Sequence, residues 1–172
     1  RVKTGGFRPG IVGKHFADDY EKTWVPGTTF VPPRKPVAEF AARLQAPFVV
    51  NADAWGTDTA PVPGEITGLQ IKDGVLYHDF SDWYKGRESL GILPTGQFRL
   101  YNAQLGDTAQ TALDDGVTDT FSFGPALVKD GAAVDLTSVL AEWADMSLMR
   151  PRTILGQTST GDVLVILVEG DN

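Results

Sequence analysis

The sequence predicts an α+β domain, built from mixed or antiparallel β hairpins with a few short helices around one core. Three observations predict it. Apolar runs come in pairs separated by Gly-containing turns. Glycine (19) and proline (11) are plentiful, which favours short strands and tight turns over long helices. Only three stretches show a helical apolar stripe or a helix start and stop. The 172 residues are 42% hydrophobic and 22% charged, enough for an ordered chain with a real core. No linker divides them, so residues 1–172 read as one domain.

The stretch to Pro33 is turn-rich, with short strands expected around Ile11-Val12 and Thr28–Val31. A helix is expected from Pro36 to about Ala46. Pro36 suits a first helical position, and Val37, Phe40, Ala41 and Leu44 fall at i, i+3, i+4 and i+7. Pro47 ends it, and Phe48-Val49-Val50 reads as a buried strand. Four hairpins follow. Gly68–Lys72 and Val75–His78 flank Asp73-Gly74, and Asp-Gly between apolar runs is a strong hairpin signal. Leu90–Leu93 returns through Phe98–Tyr101 after Thr95-Gly96. Pro125–Lys129 turns at Asp130-Gly131. Arg152–Gln157 returns through Val163–Val168 after Thr160-Gly161. Two short helices fit between hairpins. Asp107 or Thr108 caps one that runs through Leu113 and stops at Gly116. Asp135 or Thr137 caps the other, with Val139, Leu140, Trp143 and Met146 as its stripe.

The net charge of −7, with Lys and Arg scattered, excludes a nucleic-acid binder that works by neutralising phosphates. It also disfavours an anionic membrane surface. The absence of cysteine rules out disulfides and thiolate metal sites. No stretch is long and apolar enough to span a bilayer. The chain opens on Arg1-Val2-Lys3 without a signal-peptide pattern and is expected to be part of something larger.

Chemistry needs polar groups on a rigid base. Asn51 and Asp53 follow the run Phe48-Val49-Val50 and share one side of an extended chain. An Asx turn closing that strand competes with a catalytic role, and residue types alone favour the turn. Arg150-Pro151-Arg152-Thr153 opens an apolar strand pair. A guanidinium there either grips a phosphate or carboxylate bidentately or lies solvated at an edge. Phe121–Pro125 reads as a loop whose Gly124 brings backbone close to a ligand, or simply packs a corner. Ser122 lacks a nucleophile-elbow context. His15 and His78 have no partners at metal-ligand spacing, and His78 reads as an edge residue. Asp18-Asp19 and Asp114-Asp115 read as solvated turns or helix ends. Trp24, Trp55, Trp83 and Tyr84 suit either sugar stacking or the core.

Taken in order, the segments resemble the phosphodiester glycosidase family. Val50-Asn51-Ala52-Asp53-Ala54-Trp55 resembles its Asn-Ala-Gly/Asp-Phe-Phe segment, with Ala54-Trp55 in place of Phe-Phe. Gly68–Gly74 (GLQIKDG) resembles the hairpin that follows. Ser122–Gly131 (SFGPALVKDG) resembles its Gly-Pro-x-Leu-Val-x-Asp/Asn-Gly hairpin, and Pro151–Gly170 its Pro-Arg-Thr-x-x-Gly strand pair. Where relatives continue into Gly-Arg, a helix and an Asp-Gly-Gly-Gly-Ser loop, this sequence reads Glu169-Gly170-Asp171-Asn172. The resemblance therefore implies a domain incomplete at its C-terminus. A further segment, in this or a second polypeptide, would supply another carboxylate, and without it activity is expected to be weak or absent.

The resemblance implies hydrolysis of a glycosyl-1-phosphodiester linkage in a surface glycan, at an extracellular, cell-surface or virion location. Asp53, Asn51 and Arg152 would be catalytic, and Thr153, Gly124 and Trp55 would bind substrate. No cofactor and no metal are expected, and the partner is a carbohydrate or phosphoglycan. The competing readings are a carbohydrate- or receptor-binding module of a phage tail or surface protein that lost turnover, and a purely structural spacer.

Overall fold

A computed structural model describes residues 37–45, 48–50, 68–80, 88–122, 124–137 and 148–170. Their architecture is mostly antiparallel β with few helices, so the α+β expectation holds in its hairpin content more than in its helices.

Helix α1 spans Val37–Leu44, as the apolar spacing requires. Ala38, Glu39 and Ala42 face solvent, while the packing of Val37, Phe40 and Leu44 lies outside the described residues. Phe48–Val50 corrects an expectation. These residues form no strand, and Phe48 is 56% exposed rather than buried. An apolar triplet without alternation does not by itself fix a strand. The strands expected near Ile11 and Thr28 lie outside the described residues.

A five-stranded sheet follows. Strands β1 (Gln70–Lys72), β2 (Val75–His78), β3 (Ser89–Ile92), β4 (Phe98–Tyr101) and β5 (Asp119–Phe121) are ordered β2-β1-β5-β3-β4. All its pairings are antiparallel. The turn Asp73-Gly74 has φ of 50° and 76°, both left-handed, as a two-residue type I′ hairpin demands. Strands β6 (Val128–Lys129) and β7 (Ala132–Ala133) repeat the device around Asp130 (φ 52°) and Gly131 (φ 78°). Strands β8 (Arg152–Gln157) and β9 (Val163–Val168) form a separate two-stranded sheet in continuous register from Arg152↔Val168 to Gln157↔Val163. Leu164, Ile166, Leu167 and Val168 on β9 remain exposed.

Helix α2 (Ala109–Asp114) packs Ala109 and Ala112 into the core beside the five-stranded sheet. Thr108 caps it, its hydroxyl accepting from the Thr111 amide, and Thr111 answers on the Thr108 amide. Ala109 and Ala112 join Leu69, Ile71, Tyr101 and Val117 in the core, with Phe80, Leu93 and Leu113 packed around it. Burying a side chain such as Leu69 contributes about 1.5–3 kcal/mol. Before the second capping position, the Asp135 carboxylate accepts from the hydroxyl and amide of Thr137. Those bonds, the hydroxyl's first, hold its carboxyl below the usual range. The stripe Val139–Met146 lies outside the described residues.

Strand β5 lies at the centre of the sheet, and its last residue, Phe121, corrects the reading of Phe121–Pro125 as loop. Asp119 sits opposite Lys72, and the two form a buried ion pair. Each buried charge is tolerated because the other lies beside it. The Lys72 ammonium also reaches Asp73 at 3.1 Å.

Candidate functional site

The antiparallel pairing gathers one set of strand ends together. The C-terminal end of β5 lies beside the N-terminal ends of β1 and β3. Past Lys72↔Asp119, the ladder between β1 and β5 passes to side-chain hydroxyls. Thr120 Oγ1 accepts from the Ile71 amide at 2.8 Å and donates to the Leu69 carbonyl at 2.7 Å. Ser122 Oγ donates to the same carbonyl at 2.8 Å. That spends the single Ser122 proton, so Ser89 Oγ is the donor in the 2.8 Å contact with Ser122 Oγ. Gly68 completes the group. A Cβ there would lie 2.5 Å from Ser122 Cβ, and its φ of 73° favours glycine. The Gly68 carbonyl lies 2.9 Å from His78 Nδ1, which must carry the proton, because a carbonyl only accepts. These hydroxyls are committed to holding the sheet end, which leaves Ser122 a structural residue and no nucleophile.

Gly124 leaves the end of β5 against Glu88. A Cβ on Gly124 would approach the Glu88 backbone nitrogen to 3.1 Å and its oxygen to 3.2 Å. Two residues on, the Ala126 amide donates to Glu88 Oε2 at 2.6 Å. Glu88 thus meets the Gly124–Ala126 segment with both its main chain and its carboxylate. Sequence reasoning missed it. The only signal available was its place just ahead of the apolar run Leu90–Leu93, with Ser89 between.

Arg152 and Thr153 begin β8, opposite Val168 and Leu167. Arg152 Nη2 donates to the Leu148 carbonyl at 3.2 Å, which ties the guanidinium to the preceding turn. The other end of β8 is fixed to the five-stranded sheet. Gln157 Oε1 accepts from the Phe98 amide at 3.0 Å, and Nε2 donates to the Gly96 carbonyl at 2.9 Å. At about 3.4 Å per residue, Arg152 stands roughly 17 Å along the strand from that anchor.

The phosphodiester glycosidase profile matches residues 45–172. The chain belongs to the phosphodiester glycosidase family. It is also 34% identical over 171 residues to the SPbeta prophage-derived uncharacterized protein YomE of Bacillus subtilis (strain 168). That alignment covers 98% of this chain and 25% of YomE, so the chain spans about a quarter of that relative's length.

Of the residues the family resemblance singles out, Gly124 lies in the stretch between β5 and β6, and Arg152 and Thr153 lie on β8. Asn51, Asp53 and Trp55 lie outside the described residues. Gly124 closes on Glu88 at the sheet end, while Arg152 and Thr153 ride on the β8–β9 hairpin. Among the described residues no three His, Asp or Glu side chains are grouped so as to hold a metal ion. No described helix is long and apolar enough to cross a membrane.

Asp114 is the exposed end of α2, in line with the solvated turn or helix end expected at Asp114-Asp115, while Asp115, at the C-cap, is half-buried in a polar group. Asp115 Oδ2 accepts from the Tyr101 hydroxyl at 2.8 Å and pairs with Arg99, whose guanidinium lies over the Tyr101 ring. Burial, then the hydrogen bond and charge of Asp115, raise the Tyr101 pKa well above the ordinary value, against the opposing pull of Arg99. This phosphodiester glycosidase domain uses the cluster to fix β4 against α2, since Asp115 caps that helix.

Proposed function

We propose that this domain hydrolyses a glycosyl-1-phosphodiester, such as a sugar-1-phosphate joined to another sugar in a surface glycan. The observation that carries the reading is the family match across residues 45–172. A phosphate monoester is a good leaving group and needs less proton donation than an alkoxide. The site's work is then to stabilise an oxocarbenium-like centre and to hold the phosphate. Arg152 grips the phosphate from the start of β8, a position fixed by strand pairing. Asp53 faces the sugar carbon or takes a proton from the attacking water. Asn51 orients sugar hydroxyls, and Thr153, Gly124 and Trp55 line the pocket. The C1–O bond breaks, water oxygen ends on C1, and the phosphomonoester leaves. The setting is extracellular, at a cell surface or on a virion, and the prophage origin of YomE fits the last of these.

The test is an assay of the native gene product on a synthetic glycosyl-1-phosphodiester. Free sugar and phosphomonoester are expected in equimolar amounts. Saturable glycan binding without turnover would replace this reading with a non-catalytic carbohydrate- or receptor-binding module.

A further inference from the structure

We infer that Glu88 is a positioning residue that fixes the Gly124–Ala126 wall of the substrate pocket. The inference rests on the glycosidase reading above, which gives Gly124 its place at the substrate. The contact itself is independent of that reading. Glu88 Oε2 accepts the Ala126 amide at 2.6 Å across 38 residues of sequence. A carboxylate on a backbone amide makes a charge-assisted bond, stronger than a neutral one. The backbone beneath it is equally constrained. Glu88 immediately precedes β3, whose first residue, Ser89, is buried and bonded to Ser122. Ser122 in turn is tied to Leu69 on the neighbouring strand side. The segment after β5 is therefore held at three places: Ser122 by hydroxyls, Gly124 by contact with the Glu88 main chain, and Ala126 by the Glu88 carboxylate. Gly124 and Ala126 are thereby both set against the one residue, Glu88. A wall set this way meets substrate without first being ordered, and the ordering cost is removed from binding.

The role predicts a specific pattern among variants. Glu88→Ala removes the acceptor. Glu88→Gln keeps a carbonyl oxygen in the same place and so keeps the bond to Ala126. Gly124→Ala leaves the carboxylate untouched but pushes a methyl group against the Glu88 backbone. A residue acting by its own charge on the reacting centre would fail equally as Ala and as Gln.

The experiment combines two readouts on the native gene product and these three variants. The first is hydrogen exchange at the Ala126 amide. The second is the steady-state kinetics of a synthetic glycosyl-1-phosphodiester. Glu88→Ala should speed Ala126 exchange by about tenfold or more and raise KM by about tenfold with kcat nearly unchanged, as loss of uniform binding does. Gly124→Ala should also raise KM. Glu88→Gln should stay within about threefold of wild type in both readouts. Loss of kcat in Glu88→Gln as large as in Glu88→Ala would overturn the positioning role. So would unchanged Ala126 exchange in Glu88→Ala. A wild type that turns over no such diester sinks the glycosidase reading and the substrate role of the wall with it, while the exchange ratio still decides whether Glu88 holds Ala126.

Discussion

Gln157 does for Phe98 what a neighbouring strand would do. Its side-chain oxygen takes the Phe98 amide at 3.0 Å, while its nitrogen donates to Gly96 at 2.9 Å. One amide side chain thereby joins the β8–β9 hairpin to the β3–β4 turn. Gln157→Ala removes these two part-buried bonds and should cost about 1 kcal/mol. Denaturant unfolding and limited proteolysis of the hairpin check this. Unchanged stability together with unchanged proteolysis would show that the anchor lies elsewhere.

Tyr101 predicts behaviour in alkali. Its folded-state pKa is raised, by burial first and by Asp115 next. The stability linked to it is thus fully present below the unfolded tyrosine value of about 10 and is lost as pH climbs past it toward the folded value. Tyr101→Phe lacks the titrating group. It should be less stable at neutral pH by about 1–2 kcal/mol, through the lost bond to Asp115. It should also show a flatter decline above pH 10. Parallel curves for the two proteins from pH 7 to 11 would contradict this.

The Asp-Gly turns carry a sharper expectation. Gly131→Ala forces a side chain to a left-handed φ of 78° with open space around it, so backbone strain is the only cost. About 1 kcal/mol should be lost. Thermal unfolding measures it, and an unchanged midpoint would remove the type I′ argument.

Those turns explain how much was legible in advance. Asp73-Gly74 and Asp130-Gly131 lie between apolar runs, and a local rule suffices to place four strands around them. Thr108 and Gly116 bracket α2 by equally local chemistry. Strand β5 was hidden because its stability is non-local. Asp119 needs Lys72, and Thr120 and Ser122 replace part of the backbone ladder through Leu69 and Ile71. None of these partners is near in sequence. Glu88 was hidden for the same reason, its role being defined by Ala126. Arg152 and Gly124 stand out in the sequence by a strand start and a Gly-Pro turn, Asn51 and Asp53 by following an apolar run, and Trp55 as an aromatic suited to stacking. The family-like segments give each its expected role.

If Arg152 holds the phosphate, Arg152→Ala should raise KM, because the phosphate is bound in the ground state, and lower kcat, because the guanidinium also offsets the charge that grows on the departing phosphomonoester in the transition state. Arg152→Lys should recover part of the loss, since an ammonium keeps the charge without the bidentate fork. Steady-state kinetics on the same diester measure both. An unaltered KM in Arg152→Ala would place phosphate binding on another residue.

The central claim is that the broken bond joins oxygen to the sugar carbon, with Asp53 opposing the developing positive charge. Hydrolysis by the native gene product in ¹⁸O-labelled water, read by mass spectrometry, tests it most directly. The label should appear in the released sugar and not in the phosphate. Asp53→Asn should reduce the rate by about 10²–10⁴-fold, with the label still in the sugar. Label in the phosphate would mean attack at phosphorus and would contradict the account.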